Sequence, residues 1–347
     1  MSRRVRIGLA GLGRVGRLHA ANLCRTPSLE LVRLVDADAR LAEATAAELG
    51  VAWSTRYEDV LDDASVDAVA IATPTPLHAP MIEQAAAAAK HVFCEKPLAL
   101  DLEAAIRAVR VARERNVKLQ VGFHRRFDRD WAAAAARVHA GELGDVYLFR
   151  TSLRDMQPPP LDYIRSSGGV FVDMTIHDLD TARWLVGDID EVTAIGAALS
   201  DPGFAEAGDV DNAIVTLRFA NGALGVIDNS RVAGYGYECS TEIVGSKATV
   251  RIAHHRRVHN EWLTPGAAAV DWVSDFTERY AHAYLRELEA FAAAIRDDRP
   301  VAVSGEDAIA AYVLARACDR SLQERRPVQL RREDGGHGVV YALEEAA

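Results

Sequence analysis

The sequence predicts an α/β protein of two domains, the first built on a parallel sheet and the second an α+β domain built on an open, mainly antiparallel sheet. Up to Gly122, short and uniformly apolar strands alternate with amphipathic helices, which is typical of a parallel sheet buried on both faces. Beyond Gly122, apolar and polar residues alternate along the strands, as they do when one face is buried. The length of 347 residues also favours about two domains. We place them at 1–122 and 123–347.

The predicted elements of the first domain follow one another in βαβ order. Each strand is a short apolar run, and each helix carries its apolar residues on one face. The predicted strands are 5–10, 29–35, 68–72, 91–94 and 118–122. The predicted helices are 15–23, 41–49, 80–89 and 102–115.

The second domain combines helices with hairpins. After a helix at 131–139 and a strand at 146–152, we expect a helix at 173–185, flanked by Gly169 and Gly187. Alternating strands at 213–219, 223–230, 241–244 and 248–252 are separated by turn sequences that predict two hairpins. Two long helices are expected at 276–296 and 304–323, the second capped by Ser304.

The composition excludes several classes of protein. Hydrophobic residues make up 49% and charged residues 26% of the chain, as in ordinary globular proteins. A net charge of −10 argues against binding to nucleic acid or to a membrane surface. Because the sequence contains neither a membrane-spanning apolar run nor a signal peptide, we expect a cytoplasmic protein. The four cysteines lack metal-ligand spacing, which predicts reduced thiols and no metal site.

A glycine-rich turn separates the first predicted strand from the first predicted helix. Gly11, Gly13 and Gly16 form the pattern GxGxxG, and Asp36 follows at the end of the second strand. In a Rossmann domain such glycines let a dinucleotide pyrophosphate approach the helix N-terminus, and the acid binds the adenosine ribose. Because a carboxylate repels the 2′-phosphate of NADP, we predict NAD over NADP. S-adenosylmethionine enzymes also use a glycine loop and an acid, so the cofactor needs a second signal.

Two later loops supply that signal, because ligands of open α/β sheets bind at the carboxyl ends of the strands. The strand at 68–72 leads into TPTPLH, and the strand at 91–94 leads into EKP. The backbone of Lys96 is restricted by the proline that follows it. His78 has an alternative interpretation as a helix-capping or solvent-exposed histidine. The candidate cofactor residues are Gly11, Gly13, Arg14, Val15, Gly16, Asp36, Thr73, Pro74, His78, Glu95, Lys96 and Pro97.

The segment SGGVFVDMTIHDLD at 167–180 contains the densest group of potential catalytic side chains. Asp173, His177 and Asp180 are spaced i, i+4 and i+7, so they share one face of the predicted helix. Histidine exchanges a proton near neutral pH, and a carboxylate one turn away orients the ring and stabilises its charged form. In the alternative interpretation, Asp173 caps the helix and His177 is a buried, hydrogen-bonded residue.

Taken together, these motifs resemble the Gfo/Idh/MocA oxidoreductase family, and within it the inositol 2-dehydrogenases, over nearly the whole chain. The resemblance is carried by GLAGLGRVGRLHA, ATPTPLH, CEKPLAL, VGFHRRFD and SGGVFVDMTIHDLDTARWL, with YGYE and ERYAHAYLRELEAF nearer the C-terminus. The EKP and DxxxH pair is its most specific part.

The resemblance implies roles for individual residues. Lys96, Asp173 and His177 would form the catalytic set, and Asp36 would select NAD. The polyol pocket would contain Lys96, Arg126, Asp155, Asp173, Thr175, His177, Asp180 and Tyr235. The resemblance also implies a homo-oligomer, either a tetramer or a dimer.

The implied activity is NAD-dependent oxidation of a ring hydroxyl of inositol to the ketone, by hydride transfer to nicotinamide. Two alternatives remain open. In one, the substrate is another cyclic polyol or sugar, such as scyllo- or chiro-inositol, an aldose or a 3-oxo-glycoside. In the other, the protein binds NAD in a regulatory role without turnover, although the presence of Lys96, Asp173 and His177 argues against it.

Overall fold

The structure, a computed structural model, describes residues 3–334 and 339–343. The described chain forms two compact units. The first unit contains the residues up to Asp128 together with His282–Ile309, and the second contains Arg129–Ala281 and the residues from Ala310 onward. This division differs from the continuous domains at 1–122 and 123–347, because His282–Ile309 packs with the N-terminal part of the chain.

Strands and α-helices are labelled in chain order. The strands are β1 (Val5–Ala10), β2 (Leu29–Val35), β3 (Ala52–Ser54), β4 (Ala68–Ile71), β5 (His91–Cys94), β6 (Leu119–Val121), β7 (Val146–Arg154), β8 (Ile189–Ala197), β9 (Asn212–Phe219), β10 (Leu224–Ser230), β11 (Glu238–Gly245), β12 (Thr249–Ile252), β13 (Arg256–Thr264), β14 (Ala267–Trp272), β15 (Val328–Asp334) and β16 (Val339–Leu343). The helices are α1 (Arg14–Arg25), α2 (Ala39–Leu49), α3 (Glu58–Leu61), α4 (His78–Ala87), α5 (Leu102–Glu114), α6 (Arg129–His139), α7 (Leu161–Ser166), α8 (Ile176–Val186), α9 (Pro202–Glu206), α10 (Phe276–Arg279), α11 (Ala281–Arg296) and α12 (Gly305–Glu324).

The first unit is built on a six-stranded parallel sheet in the order β3-β2-β1-β4-β5-β6. Strands β4 and β5 are almost wholly buried, which explains their uninterrupted apolar sequences. The strand order changes direction at β1, so the loops after β1, β4 and β5 lie at neighbouring carboxyl ends of the sheet. The predicted Rossmann-type fold is confirmed.

Helix α11 accounts for the discontinuous first unit. Leu288, Phe291 and Ala292 are fully buried in the same apolar core as Ile7 of β1 and Phe93 of β5. The ring centroids of Phe93 and Phe291 lie 6.1 Å apart. Since a buried side chain of this size contributes roughly 1.5–3 kcal/mol, this apolar face is sufficient to fix α11 on the unit.

The second unit contains an eight-stranded mixed sheet in the order β12-β11-β7-β10-β9-β8-β15-β16. Its pairs are antiparallel except β7 with β10, which run parallel. The predicted hairpins are β9–β10 and β11–β12. Alternate residues of β9 are buried and exposed, so one face of the sheet carries the core. The predicted open, mainly antiparallel α+β domain is confirmed.

Two predicted helices differ in detail from the structure, and a third begins as predicted. The helix expected at 173–185 begins with one π-helical turn, Phe171–Thr175, and continues as α8. The helix expected at 276–296 is divided into α10 and α11 at the fully buried Tyr280, whose backbone leaves the helical region. Helix α12 starts as predicted, because Ser304 Oγ accepts a hydrogen bond from Asp307 N and the carboxylate of Asp307 accepts one from Ser304 N.

Two further observations concern the cysteines and the helices. Cys94, Cys239 and Cys318 are buried free thiols, whereas Cys24 is exposed. Within the described parts of the chain, every helix is too short or too polar to cross a membrane.

Candidate functional site

The loop between β1 and α1 is tightly packed at two of its three glycines. Gly11 has φ = +92°, and a Cβ there would lie 2.5 Å from the carbonyl oxygen of Ala72. A Cβ at Gly16 would lie 2.1 Å from the carbonyl oxygen of Gly11. A Cβ at Gly13 would have no heavy atom of the described chain within 4 Å. Gly11 and Gly16 therefore fix the turn, and Gly13 leaves the N-terminus of α1 open, which fits a dinucleotide pyrophosphate.

Asp36 is held at the end of β2 by backbone amides. Its Oδ2 accepts a hydrogen bond of 2.7 Å from Leu12 N, and its Oδ1 accepts one of 2.9 Å from Asp38 N. The side chain stays half-buried. Each carboxylate oxygen has a second lone pair, so the group remains able to accept hydrogen bonds from the two ribose hydroxyls of NAD.

His78 joins the two loops that follow β4 and β5. The ring is buried, with Nδ1 2.8 Å from the carbonyl oxygen of Pro97 and Nε2 2.7 Å from that of Thr73. Burial lowers the pKa of His78, although both carbonyl contacts act in the opposite direction. The neutral ring donates one of these hydrogen bonds. His78 is therefore a buried brace between two candidate cofactor loops, and not a solvent-exposed histidine.

Lys96 lies in the loop directly after β5. Its side chain is half-buried, its peptide bond to Pro97 is cis, and its backbone amide donates a hydrogen bond of 3.3 Å to Glu95 Oε2. The other predicted cofactor residues also follow neighbouring strands of the first sheet: Arg14 and Val15 begin α1, and Thr73 and Pro74 follow β4. The structure thus brings the predicted cofactor residues of the first unit to one edge of its sheet.

A buried polar cluster supports the Glu95-Lys96 loop. His19 Nε2 of α1 lies 2.6 Å from Glu95 Oε1, and His19 is fully buried. Glu287 of α11 is also fully buried, and neither of its carboxylate oxygens has a hydrogen-bond partner among the described residues. Glu287 was missed in the sequence. The available signal was a carboxylate set between Tyr284 and Leu288 on the apolar face of a helix.

The atoms of this cluster that can ligate a metal, one each from His19, Glu95 and Glu287, lie within 4.8 Å of one another. His19 Nε2 is already engaged with Glu95. Burial, and next the charge of Glu95, raise the pKa of Glu287 well above its usual value. A proton on Glu287 therefore removes the buried charge with no need for a cation, and the expectation of no metal stays a prediction.

Two side chains hold Asp173 in the second unit. Tyr163 Oη donates a hydrogen bond of 2.8 Å to Asp173 Oδ1, and Arg231 Nη1 donates one of 3.0 Å to Asp173 Oδ2. Asp173 lies inside the π-helical turn and does not cap α8, whose first residues include His177. His177 is half-buried and follows Asp173 by four residues. The alternative interpretation of Asp173 as a helix cap therefore does not describe this structure.

Thr175 belongs to a buried hydrogen-bonded chain. Its hydroxyl donates a hydrogen bond of 2.6 Å to Asn229 Oδ1, and Asn229 Nδ2 donates one of 2.8 Å to Asp178 Oδ2. Thr175, Asp178 and Asn229 are almost completely buried, as is Asp180. Asn229 and Asp178 were missed because they lie 51 residues apart in sequence and meet only through the fold.

The remaining predicted substrate residues lie in different surroundings. Tyr235 is exposed, its hydroxyl hydrogen-bonds to Arg154 and Glu238, and its pKa is raised by partial burial and by Glu238. Asp155 follows β7 and is half-buried. In the first unit, Arg126 pairs with Asp307 across 3.2 Å. The predicted set is thus divided, with Lys96 and Arg126 in the first unit and Asp155, Asp173, Thr175, His177, Asp180 and Tyr235 in the second.

Replacing Glu287 by Gln is expected to change how stability depends on pH. The raised pKa means that the folded state binds the Glu287 proton more tightly than the unfolded state. The wild type therefore loses stability as pH rises above the unfolded value near 4.3, by up to about 1.4 kcal/mol per pH unit. Glu287→Gln removes this loss. The thermal midpoint of the variant minus that of the wild type should therefore increase as pH is raised from 5 to 9.

The control is Glu289→Gln on the same helix, which makes the same chemical change at a half-buried position. A constant difference between Glu287→Gln and wild type across this pH range would show that Glu287 is ionised in the folded protein. Destabilisation of the wild type by EDTA, absent from the variant, would instead indicate a metal in the cluster.

Two family models match the chain. The NAD-binding Rossmann fold of the GFO_IDH_MocA oxidoreductase family matches residues 5–123. The C-terminal alpha/beta domain of the same family matches residues 135–330.

Individual relatives match over nearly their whole length. The chain is 43% identical over 331 residues to the myo-inositol 2-dehydrogenase of Thermotoga maritima, covering 94% of this chain and 98% of that protein. It is 38% identical over 333 residues to the NAD⁺-dependent scyllo-inositol 2-dehydrogenase of Bacillus subtilis, covering 95% and 97%. The crystal structure of scyllo-inositol dehydrogenase from Lactobacillus casei with bound NAD(H) and scyllo-inositol superposes with a TM-score of 0.87 at 32% identity, covering 94% and 99%. With both family models matched and its glycine loop intact, the chain belongs to the Gfo/Idh/MocA family of NAD-binding oxidoreductases.

Proposed function

We propose that the protein oxidises a ring hydroxyl of inositol to the ketone with NAD as hydride acceptor, in the manner of myo-inositol 2-dehydrogenases. The observation that carries this proposal is full-length similarity to inositol dehydrogenases, at 43% identity for the Thermotoga maritima enzyme. The open glycine loop after β1 and the carboxylate of Asp36 at the end of β2 support the proposal.

His177, Asp173 and Lys96 supply the catalytic groups in this proposal. NAD, when bound, supplies the hydride acceptor at C4 of its nicotinamide ring. Because Nδ1 of His177 is buried, Nε2 is the atom that removes the hydroxyl proton. Asp173 stabilises the positive charge that forms on the ring. The ammonium of Lys96 donates a hydrogen bond to the reacting oxygen and stabilises its developing negative charge.

Recognition of a ring polyol requires hydrogen-bonding groups on several sides. In the proposed pocket, Asp155, Asp180 and Tyr235 supply acceptors and a hydroxyl, and Arg126 supplies a donor. Thr175 acts indirectly by holding Asn229, since its hydroxyl donates a hydrogen bond to the side-chain oxygen of Asn229. A substrate lacking a hydroxyl leaves a buried polar group unpaired, which disfavours it. The proposal names myo-inositol because the identity to the Thermotoga maritima myo-inositol enzyme, 43%, exceeds the 38% identity to the Bacillus subtilis scyllo-inositol enzyme.

The same proposal assigns cofactor binding to the first unit and oligomerisation and most of the substrate contacts to the second, in a cytoplasmic homo-oligomer. The exposed face of the second sheet supports the assembly. Ile195 of β8 pairs directly with Ile214 of β9, and their side chains are 63% and 46% exposed. Leu148 of β7 pairs with Leu224 of β10, and both are exposed. An apolar sheet face of this kind is usually covered by a partner.

NADH formation with a panel of polyols tests the activity. With NAD, we expect the highest rate for myo-inositol over scyllo- and chiro-inositol, glucose and xylose. Lys96→Met and His177→Asn should each lose at least about 100-fold in kcat while NAD binding persists, because each removes one group from the transition state.

Other outcomes of the panel contradict defined parts of the proposal. A faster rate with another polyol would overturn the pocket assignment and keep the mechanism. Near-normal turnover in either variant would remove that residue from the mechanism. NAD binding without oxidation of any polyol would favour the regulatory alternative.

Asp36→Asn is expected to weaken the binding of NAD and to reduce the ratio of the affinity for NAD to that for NADP. The change removes the charge but keeps an amide oxygen, and hydrogen bonds to a charged acceptor contribute about 1.5–3 kcal/mol, so Kd for NAD should rise roughly tenfold or more. Asp38→Asn makes the same change two residues away, at the cap of α2, and should leave both affinities unaltered. Equal preference in Asp36→Asn and wild type would refute the role of Asp36.

The mass of the protein in solution tests the assembly. Light scattering should give a multiple of the 37.7 kDa chain mass, a dimer or a tetramer. Ile195→Glu should lower that mass, because it places a charge on the exposed sheet face. Leu263→Glu, at an exposed apolar position of the β13–β14 hairpin, is the matched control. A monomeric wild type would contradict the proposal.

A further inference from the structure

Arg231 is a buried cation that the catalytic assignment above does not use. It follows β10 directly and is 1% exposed. A guanidinium remains charged at every physiological pH, so burying it is costly unless carboxylates compensate for the lost water. The carboxylates around Arg231 therefore identify the groups that its charge stabilises.

Three carboxylates face this guanidinium. Arg231 Nη1 donates to Asp173 Oδ2 at 3.0 Å, and Nη2 lies 3.7 Å from Asp209 Oδ2. Asp155 adds a weaker favourable charge. Burial lowers the pKa of Arg231, but these acids, Asp173 first, outweigh it and raise the pKa overall. The backbone of Arg231 is fixed as well, since its amide donates to the carbonyl oxygen of Asp211 at 2.8 Å.

Asp209 connects the same guanidinium to the turn that precedes Asp173. Its Oδ1 accepts a hydrogen bond of 2.9 Å from Val170 N. It also lies 3.3 Å from the position of a Cβ on Gly169, whose φ is +85°. One oxygen of Asp209 therefore holds the start of the π-helical turn, while its other oxygen faces Arg231. Arg231 is thus linked both to the side chain of Asp173 and to the backbone that carries it.

We propose that Arg231 is a positioning residue for the oxidation, which sets the orientation of the Asp173 carboxylate directly and anchors the turn at Val170 through Asp209. This inference rests on the proposed function for the identity of the reaction. The positioning itself concerns contacts within the second unit and can be tested separately.

The two terminal nitrogens of the guanidinium face different acids: Nη1 donates a hydrogen bond to Asp173, and Nη2 lies at ion-pair distance from Asp209. Tyr163 and Arg231 engage different oxygens of Asp173, which fixes the plane of the carboxylate. A lysine ammonium carries the same charge, but it is a single point and does not reproduce the planar fork of a guanidinium. Loss of the Nη1 hydrogen bond loosens the Asp173 carboxylate, and misplacement of a catalytic group by about 1 Å can cost on the order of 100-fold in rate.

Arg231→Lys and Arg231→Ala test the proposal with the substrate that the wild type oxidises best. Arg231→Lys should lower kcat roughly 10- to 100-fold, with KM for the polyol and Kd for NAD changed less than about threefold. Arg231→Ala should lower kcat further, and guanidinium at a non-denaturing concentration should restore part of it. The matched control is Arg183→Lys, which alters another partly buried pair, Arg183 with Asp188, at the far end of α8.

Hydrogen exchange followed by mass spectrometry supplies a readout that does not require activity. Peptides covering 168–180 should exchange faster in Arg231→Lys and in Asp209→Asn, and at the wild-type rate in Arg183→Lys. If the wild type oxidises no polyol, the proposed function fails, and this measurement still decides whether Arg231 positions the turn.

Several results would overturn the inference. They are wild-type kcat in folded Arg231→Lys, unchanged exchange over 168–180, or loss of activity in Arg231→Ala that guanidinium leaves unaltered. If Arg231→Ala fails to fold, Arg231→Lys and Asp209→Asn decide the question on kcat and exchange together.

Discussion

Charge that is buried away from water must be matched by a partner or removed by a proton, and both units of this protein meet that constraint beside their candidate catalytic groups. In the first unit, His19 and Glu95 are hydrogen-bonded, and the nearby Glu287 is stabilised in its protonated form by burial and by Glu95. In the second, Arg231 compensates Asp173 and Asp209. The segments that carry Lys96 and His177 each contain one member of such a cluster. Their orientations therefore depend on compensated charge as well as on apolar packing.

The sequence predicted the fold because local patterns in this chain agree with the tertiary structure. Uniformly apolar runs became the buried parallel strands, and alternating runs became the hairpins β9–β10 and β11–β12. The glycine pattern correctly predicted the tight turn after β1, because a Cβ at Gly11 or Gly16 would clash with the backbone. The division at residue 122 did not anticipate α11. Its apolar face predicts a buried helix, but only the fold shows that this face packs beside Phe93.

The candidate site could be predicted where its residues lie close to one another in sequence. Asp173 and His177 lie four positions apart, and Glu95 and Lys96 are adjacent after a predicted strand, so local sequence and the family resemblance selected them as candidates. Arg231 lies 58 residues from Asp173, and no periodicity connects the two. His78 and Thr175 illustrate a second limit. The strand-end position of His78 and the family resemblance at Thr175 indicated ligand contacts, whereas His78 contacts two backbone carbonyls and Thr175 contacts Asn229 in the structure. Hydrogen-bond partners are fixed by tertiary contacts that a pattern does not contain.

Buried charge is compensated by a guanidinium in the second unit and removed by a proton on a carboxyl group in the first. Because these two groups differ in acidity, the two units respond differently to pH. A guanidinium keeps its charge throughout the working range of pH, so the Arg231 contacts of Asp173 are insensitive to pH. The proton on Glu287 is held only while pH stays below a raised but finite pKa. An alkaline limit set by the structure therefore belongs to the first unit, where ionisation of Glu287 places a second negative charge near Glu95. The residue next to Glu95 is Lys96, to which the proposed mechanism assigns the hydrogen bond to the reacting oxygen. Ionisation of Glu287 is therefore expected to lower stability and to disfavour the negative charge that develops on that oxygen.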